Sequence, residues 1–411
     1  MSFFQFFVWG AWLITIGVYW FNTNNWDGGV FGEVFASLGF ASIVMPAITG
    51  IIADRWLNAE RLYGLLHILY GISLYFVSTA TNPADFKTWM YIAMFCYMPT
   101  ISLSNSISYY VLKQHSAYDV VKVFPPIRVW GTIGFIAAMW LTNLTGNKGT
   151  SNQFLFAAGF AIALGLYAFS LPKCPPQNLI PKNASLTDKL GLNAFKLFGK
   201  TKLALFFIFS MFLGAALQLT NMYGDTFLSD FGENPLYGKE SFVVKYSTII
   251  MSISQISETL FILAIPFFLK KFGIKQVMFI SMIAWVLRFA LFAYGNPADG
   301  LWMIILSCIV YGMAFDFFNI SGSLFIETST SHNIRSSAQG LFMMMTNGFG
   351  AIFGSYASGY LIKNYFSLAN GAKDWQNIWL SFAGYALVIA ILFLILFKHK
   401  HNPNEVAAVA H

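Results

Sequence analysis

The stretch Phe124–Phe135, FPPIRVWGTIGF, places an arginine inside an apolar run that continues to Leu141. Such a charge costs about 2.5–3.5 kcal/mol at the centre of a membrane helix, so it usually faces a polar interior that holds a partner. Arg128, Thr132 and Phe135 follow at i, i+4 and i+7. This spacing predicts one helical face that carries a charge, a hydroxyl and an aromatic ring.

Two aspects of this stretch leave alternatives open. Pro125 and Pro126 predict that the helix begins there, because the first helical turn needs no backbone N–H. Arg128 would then lie near a helix end. It would either line a polar cavity, pair with a carboxylate for packing alone, or extend towards the lipid headgroups.

The composition indicates an integral membrane protein. Of the 411 residues, 57% are hydrophobic and only 10% are charged, too few to cover a soluble globule of this size. The apolar runs are about 20 residues long, which suits helices that cross a hydrocarbon core of about 30 Å. They lack the alternation of barrel strands. The predicted fold class is therefore all-α.

Twelve apolar segments predict two bundles of six transmembrane helices. The segments lie near residues 3–21, 32–52, 62–79, 89–112, 127–143, 153–171, 203–228, 243–269, 276–294, 301–326, 336–362 and 377–397. The predicted organisation is an N-terminal bundle 1–171, a linker 172–202, a C-terminal bundle 203–398 and a tail 399–411. The first segment lacks the basic region and the cleavage site of a signal peptide, so we expect it to be retained.

The linker is rich in proline and lysine. Within it, Ser185 and Asp188 resemble a capping box that opens a short amphipathic helix through Phe198 on the membrane surface. An irregular loop is the alternative. Sixteen Lys and Arg residues fall on the linker side of the predicted membrane and six on the other, which predicts that both termini are cytoplasmic.

The loop after the second segment, Gly50–Arg55 (GIIADR), resembles the GxxxDR signature of the major facilitator superfamily. Its Asp54 can cap a neighbouring helix and Arg55 can pair within the bundle, which predicts a gating element. An ordinary solvated ion pair is the alternative. The equivalent loop of the second half is basic but lacks the aspartate, so the internal repeat is clearer in hydropathy than in residues.

Polar side chains recur inside the apolar helices of the second half. Gln218, Asn221 and Asp225 lie at i, i+3 and i+7, and Gln255 and Glu258 lie at i and i+3. Such groups are costly in a bilayer unless they line a wet cavity, so we expect them, with Arg128, to form a binding site. Hydrogen bonding that only joins helices is the alternative.

The tenth segment adds aromatic rings to this set. Tyr311 and Phe315 are spaced to stack at i, i+4, while Asp316 shares another face with Asn319. Aromatic residues at helical spacing are usually core residues, but a flat ligand is often held by such rings together with directional amides.

Buried carboxylates predict coupling to protons, because a carboxyl group in a low-dielectric medium holds its proton more readily. We expect Asp316 to carry the proton, with Glu258 and Asp225 as alternatives. Arg288, deep in the ninth segment, is a further buried charge, and Asp316 and Glu258 are its candidate partners; the sequence does not choose between them.

Several functional classes are not indicated. The net charge of +7 is spread over short loops and does not form a nucleic-acid-binding patch. The three cysteines and six histidines show no metal-binding spacing, and no catalytic signature occurs, so we expect no metal, no cofactor and no enzymatic activity.

The quoted stretch, together with LQLTNMYGDTF, YGMAFDFFNISGS and QGLFMMMTNGFG, closely resembles the bacterial nucleoside:proton symporters of the NupG type, within the major facilitator superfamily. The resemblance runs from Phe3 to His401. It implies a monomer of the bacterial inner membrane that imports nucleosides with protons by alternating access. The site residues it implies are Arg128, Thr132, Phe135, Gln218, Asn221, Gln255, Glu258, Tyr311, Phe315 and Asp316. Asp225 stands where we expect an amide.

Two other functions remain open from the sequence. One keeps the fold and transports a sugar or another polar metabolite. The other is a membrane receptor or enzyme that does not transport. Competition of uridine, adenosine and hexoses for uptake distinguishes these cases, and the sequence does not choose between purine and pyrimidine nucleosides.

Overall fold

Helices account for nearly all of the structure, a computed structural model. It describes residues 1–114, 120–177, 192–368 and 371–400. Within these residues the one β pairing is an isolated bridge between Ser367 and Lys373. The chain forms two compact units, Met1–Leu190 (unit 1) and Gly191–His411 (unit 2).

Unit 1 contains the first six spans. Its helices are α1 Ser2–Gly10, α2 Gly28–Arg55, α3 Ala59–Thr79, α4 Pro83–Gln114, α5 Val120–Leu144 and α6 Asn152–Ala168. Asp27 caps α2, because its Oδ1 accepts hydrogen bonds from the N–H groups of Gly29 and Val30. Helix α1 packs against α5, α2 against α4, and α3 against both α4 and α6.

The first span is interrupted, although the sequence predicts one segment over 3–21. Helix α1 ends at Gly10, and after several turns the chain forms a π-helical segment, Val18–Thr23. The hydroxyl of Thr15 lies at this interruption and donates to the side chain of Gln153 on α6. Hydroxyl groups that compete for backbone or neighbouring acceptors often bend helices, which accounts for the break.

The predicted start of the fifth helix is wrong, although the apolar span Pro126–Leu144 agrees with the predicted 127–143. Helix α5 begins at Val120, so Pro125 and Pro126 lie inside it. Each proline removes one N–H that would close a backbone hydrogen bond. Membrane helices tolerate this loss where neighbouring groups satisfy the backbone.

Unit 2 contains the last six spans. Its helices are α7 Thr201–Asp230, α8 Phe242–Lys245, α9 Ser247–Tyr294, α10 Leu301–Ser329, α11 His332–Met343, α12 Ala351–Tyr365 and α13 Trp375–Leu396. A 3₁₀ helix, Leu192–Gly199, precedes α7, and a π-helical segment, Met344–Gly350 (the π segment), joins α11 to α12.

Helix α9 holds the predicted span 276–294 and most of the predicted span 243–269, whose first residues form α8. They meet at Gly273, whose φ of 78° lies in the left-handed region that glycine adopts without strain. The basic loop predicted between these spans is therefore a sharp kink.

The two units share a packing pattern. The first span packs against the fifth in both, as α1 with α5 and as α7 with the π segment and α12. The third packs against the sixth, as α3 with α6 and, in unit 2, as Phe289 and Phe292 of α9 against Trp379 of α13. This pattern reproduces the internal repeat of the hydropathy.

Seven described helices, α2, α3, α5, α7, α9, α10 and α13, are long and apolar enough to cross a membrane, and α9 among them holds two spans. Each of the twelve predicted segments falls on a helical part of the chain. The all-α membrane fold is confirmed.

The linker and tail boundaries stay predictions. Ser185 and Asp188, which would open the surface helix, lie outside the described residues, as does 401–411 of the predicted tail. The described part of that predicted helix belongs to the 3₁₀ helix Leu192–Gly199.

Candidate functional site

In unit 1, Arg128 of α5 lies against α1. Its guanidinium carbon is 4.1 Å from the centroid of the Phe6 ring, within the range of a cation–π contact. Gly131 makes room for this arrangement, because a Cβ there would lie 2.8 Å from Nη1 of Arg128. The guanidinium is thus placed over an aromatic ring of unit 1.

Phe135 and Thr132 are half-buried on the same helix. The Phe135 ring meets Trp9 edge-on at 6.2 Å. The indole Nε1 of Trp9 is buried and has no hydrogen-bond acceptor among the described residues. Sequence reasoning missed Trp9 and Phe6, although their i, i+3 spacing places both on one face of α1.

In unit 2, two glutamine side chains have unused acceptors. Gln218 of α7 is 6% exposed, and its Oε1 has no hydrogen-bond donor within the described chain. The same holds for Oε1 of Gln255 on α9. Leaving a buried acceptor unsatisfied costs about 1–3 kcal/mol. Both carbonyls, with the half-buried Asn221 nearby in α7, are therefore available to a ligand.

Glu258 of α9 and Tyr311 of α10 lie near each other because their helices pack closely. A Cβ on Gly312 would lie 2.6 Å from Oγ of Ser257, so only glycine allows this approach. The same hydroxyl donates to the carbonyl of Ile309. The glutamate and the tyrosine flank this contact.

The rings of Tyr311 and Phe315 are stacked, with centroids 6.0 Å apart and an angle of 6° between their planes. Trp285 of α9 meets Tyr311 edge-on at 5.8 Å. Tyr311 lies near the carboxyl groups of Glu258 and Asp316, and Asp316 is 5% exposed. One region of unit 2 therefore combines stacked rings with two carboxylates.

Arg288 of α9 is fully buried and joins three helices. Its Nη1 donates to the Ser307 carbonyl of α10 at 2.8 Å and to the Ser254 hydroxyl at 3.3 Å. Its Nε donates to the hydroxyl of Thr220 on α7 at 3.3 Å.

The predicted pairing of Arg288 with Asp316 or Glu258 is wrong. Among the described residues, the hydrogen bonds of Arg288 go to the neutral groups of Thr220, Ser254 and Ser307, and its guanidinium carbon lies 4.5 Å from the Tyr311 ring centroid. Neutral hydroxyl and carbonyl groups and an aromatic face surround the charge instead, because the packing of three helices brings them closer.

Asp225 belongs to a separate polar cluster. It is fully buried, and its Oδ1 accepts hydrogen bonds from Ser247 at 2.7 Å and Thr248 at 2.9 Å. Both donors lie at the start of α9. Gln255 follows Thr248 by seven residues, about 10 Å along the helix.

Asp54 and Arg55 are the last two residues of α2, and both are half-exposed. No three His, Cys, Asp or Glu side chains in the described ranges form a group that would hold a metal ion.

Comparison with known proteins identifies the family. The model described as nucleoside H+ symporter matches residues 1–402. The nucleoside permease NupG of Escherichia coli is 51% identical over 414 residues, covering 100% of this chain and 98% of the permease. The xanthosine permease of Escherichia coli is 52% identical over 417 residues, with the same coverage. A crystal structure of the nucleoside transporter NupG matches with a TM-score of 0.89 and 51% identity, covering 97% of this chain and 98% of that one. The chain therefore has the major facilitator superfamily fold and belongs to the nucleoside H+ symporter family.

Proposed function

We propose that this protein imports nucleosides together with protons by alternating access, as a monomer in the bacterial inner membrane. The family match over residues 1–402 carries this proposal, since relatives at 51% and 52% identity are a nucleoside permease and a xanthosine permease. These relatives are permeases and not enzymes, which favours transport over catalysis.

The unused acceptors of unit 2 support a ligand rich in hydrogen-bond donors. The Oε1 atoms of Gln218 and Gln255 have no donor among the described residues, and ribose hydroxyls or base N–H groups would supply one. Asn221 adds a third carboxamide, and the stacked pair Tyr311 and Phe315 offers a flat surface to a base.

Three further residues of the proposed nucleoside-binding set belong to unit 1. Arg128 has only donors, which suits a base carbonyl, while Thr132 offers a hydroxyl and Phe135 a ring. The contact of Arg128 with Phe6 limits the positions open to its long side chain, so less entropy is lost on binding.

Asp316 is the proposed proton carrier, and Glu258 is the alternative. Asp316 is nearly buried and lies near Tyr311 of the stacked pair, so a change in its charge would occur beside the proposed stacking surface. Asp225 ranks third, because it lies in a separate polar cluster, where its Oδ1 already accepts hydrogen bonds from Ser247 and Thr248.

The proposed orientation places both termini and the linker in the cytoplasm, with Asp54 and Arg55 in a cytoplasmic gate. The sixteen-to-six distribution of basic residues supports it. A reporter that is active only in the cytoplasm, fused after His411, should be active. Activity of a periplasm-specific reporter at that position would contradict the orientation.

The function is tested with purified protein in lipid vesicles. An inside-alkaline pH gradient should drive accumulation of labelled uridine, and adenosine or xanthosine should compete, whereas xylose and glucose should not. Gradient-driven accumulation of labelled xylose or glucose, with no accumulation of uridine, would replace this proposal with sugar transport.

A further inference from the structure

A small cavity of unit 2 lies between α7, α9, α10 and the π segment. Its volume is about 20 Å³, enough for one water-sized group. Trp285 and Phe315 form part of its apolar lining, while Asn319 and Asn347 contribute carboxamides. Neither asparagine is among the site residues that the sequence predicts.

Both carboxamides have unused hydrogen-bonding capacity. Asn319 and Asn347 are half-buried, and their side chains form no hydrogen bond with any other described residue. Each offers two donors and one carbonyl acceptor to a ligand. Thr346 lines the same cavity, but its hydroxyl already donates to the Phe342 carbonyl at 2.9 Å.

The position of Asn347 is fixed by close backbone packing. It lies in the π segment Met344–Gly350, and such segments frequently occur at functional sites. A Cβ added to Gly350 would lie 2.9 Å from the Cα of Gly214 on α7, so two glycines hold the π segment against that helix. A carboxamide held on a rigid backbone is suited to recognising a directional ligand group.

We infer that Asn319 and Asn347 contact the edge of the nucleobase and determine which bases are transported. This inference rests on the proposed function and adds two residues to it. A base edge presents donors and acceptors side by side, which a carboxamide can match with two hydrogen bonds. The cavity admits only the edge of a ligand, and the Phe315 ring in its lining gives that edge an apolar, aromatic neighbour, which favours a base over the ribose there.

The experiment measures binding of uridine, cytidine, adenosine and 2′-deoxyuridine to the purified full chain. Asn319→Leu and Asn347→Leu should each change the ratio of affinities between bases by about 2- to 12-fold, the effect of one hydrogen bond. The ratio of uridine to 2′-deoxyuridine should stay constant. Thr346→Val is the matched control, because it lines the same cavity with a hydroxyl already used, and it should leave the base ratios unchanged.

The outcomes are distinct. Unchanged base ratios in both asparagine variants, or a change confined to the ratio of uridine to 2′-deoxyuridine, would overturn the inference. If wild-type protein binds no nucleoside at all, the proposed function fails instead. Should a leucine variant not fold, Asn319→Ser or Asn347→Ser, which keep a small polar side chain, are measured in its place with the same expected change and the same contradicting results.

Discussion

The contact between α7 and α12 depends on a glycine whose replacement has a predictable cost. A Cβ added to Gly354 would lie 2.8 Å from both the Cα and the carbonyl oxygen of Ala215 and 3.0 Å from its Cβ. Optimal separations between such atoms are about 3.5–4.0 Å, so the helices would have to separate by about 0.7 Å or more. Overpacking of this kind costs about 1–3 kcal/mol.

Gly340→Ala is the matched control, because a Cβ at that helical position of unit 2 would meet nothing within 4 Å. Both substitutions gain the same helix propensity, up to about 1 kcal/mol, so their difference isolates the packing term. Gly354→Ala should therefore melt about 2–12 °C below Gly340→Ala, using the shift expected per kcal/mol for 150–250 residues. Thermal unfolding in one detergent, followed by tryptophan fluorescence, measures this difference. Equal melting temperatures would refute the packing argument.

Three further predictions address binding, coupling and the thiol outside the membrane. Gln218→Ala should weaken uridine binding by about 2- to 12-fold without lowering the melting temperature, because its Oε1 has no protein donor to lose; a lower melting temperature with unchanged binding would show a purely structural role. In vesicles, Asp316→Asn should abolish uphill uptake of uridine but retain substrate exchange at equilibrium, whereas Glu258→Gln should weaken both. If Asp316→Asn still accumulates uridine, Asp316 is not the proton carrier and Glu258 takes that role. Burial, and secondarily the charge of Glu60, raises the pKa of the Cys174 thiol to about 11. In a variant without the other two cysteines, alkylation should therefore accelerate with pH up to about 11, and Glu60→Gln should lower this pKa and speed the reaction at pH 8. An alkylation rate that levels off near pH 9 would contradict the raised pKa of Cys174.

The membrane spans were predictable because their signals are local. A run of about 20 apolar residues determines a helix whatever its neighbours are, and the i, i+4 spacing of Tyr311 and Phe315 leads directly to their stacking. The positions at which helices are kinked or interrupted were harder to predict from the sequence. The kink at Gly273 replaces a predicted loop, and a basic sequence around a glycine is compatible with either.

Contacts between distant segments could not be read from the sequence. Arg288 donates hydrogen bonds to Thr220, Ser254 and Ser307, which lie on three different helices. Nothing in the sequence distinguishes these three residues from the other serines and threonines of the chain. Charge alone suggested a carboxylate partner. Trp9 was missed for a similar reason, since its unpaired indole N–H is recognisable only once its surroundings are known.

The claim that this protein transports nucleosides together with protons is tested most directly by measuring whether protons enter vesicles with the nucleoside. Protein-containing vesicles with a trapped pH indicator, and with no imposed gradient, receive uridine on the outside. The account predicts that the lumen acidifies as uridine enters, that xylose produces no signal, and that a proton ionophore abolishes the pH change. Uridine entry without acidification would contradict proton coupling, and the absence of uridine entry would contradict nucleoside transport itself.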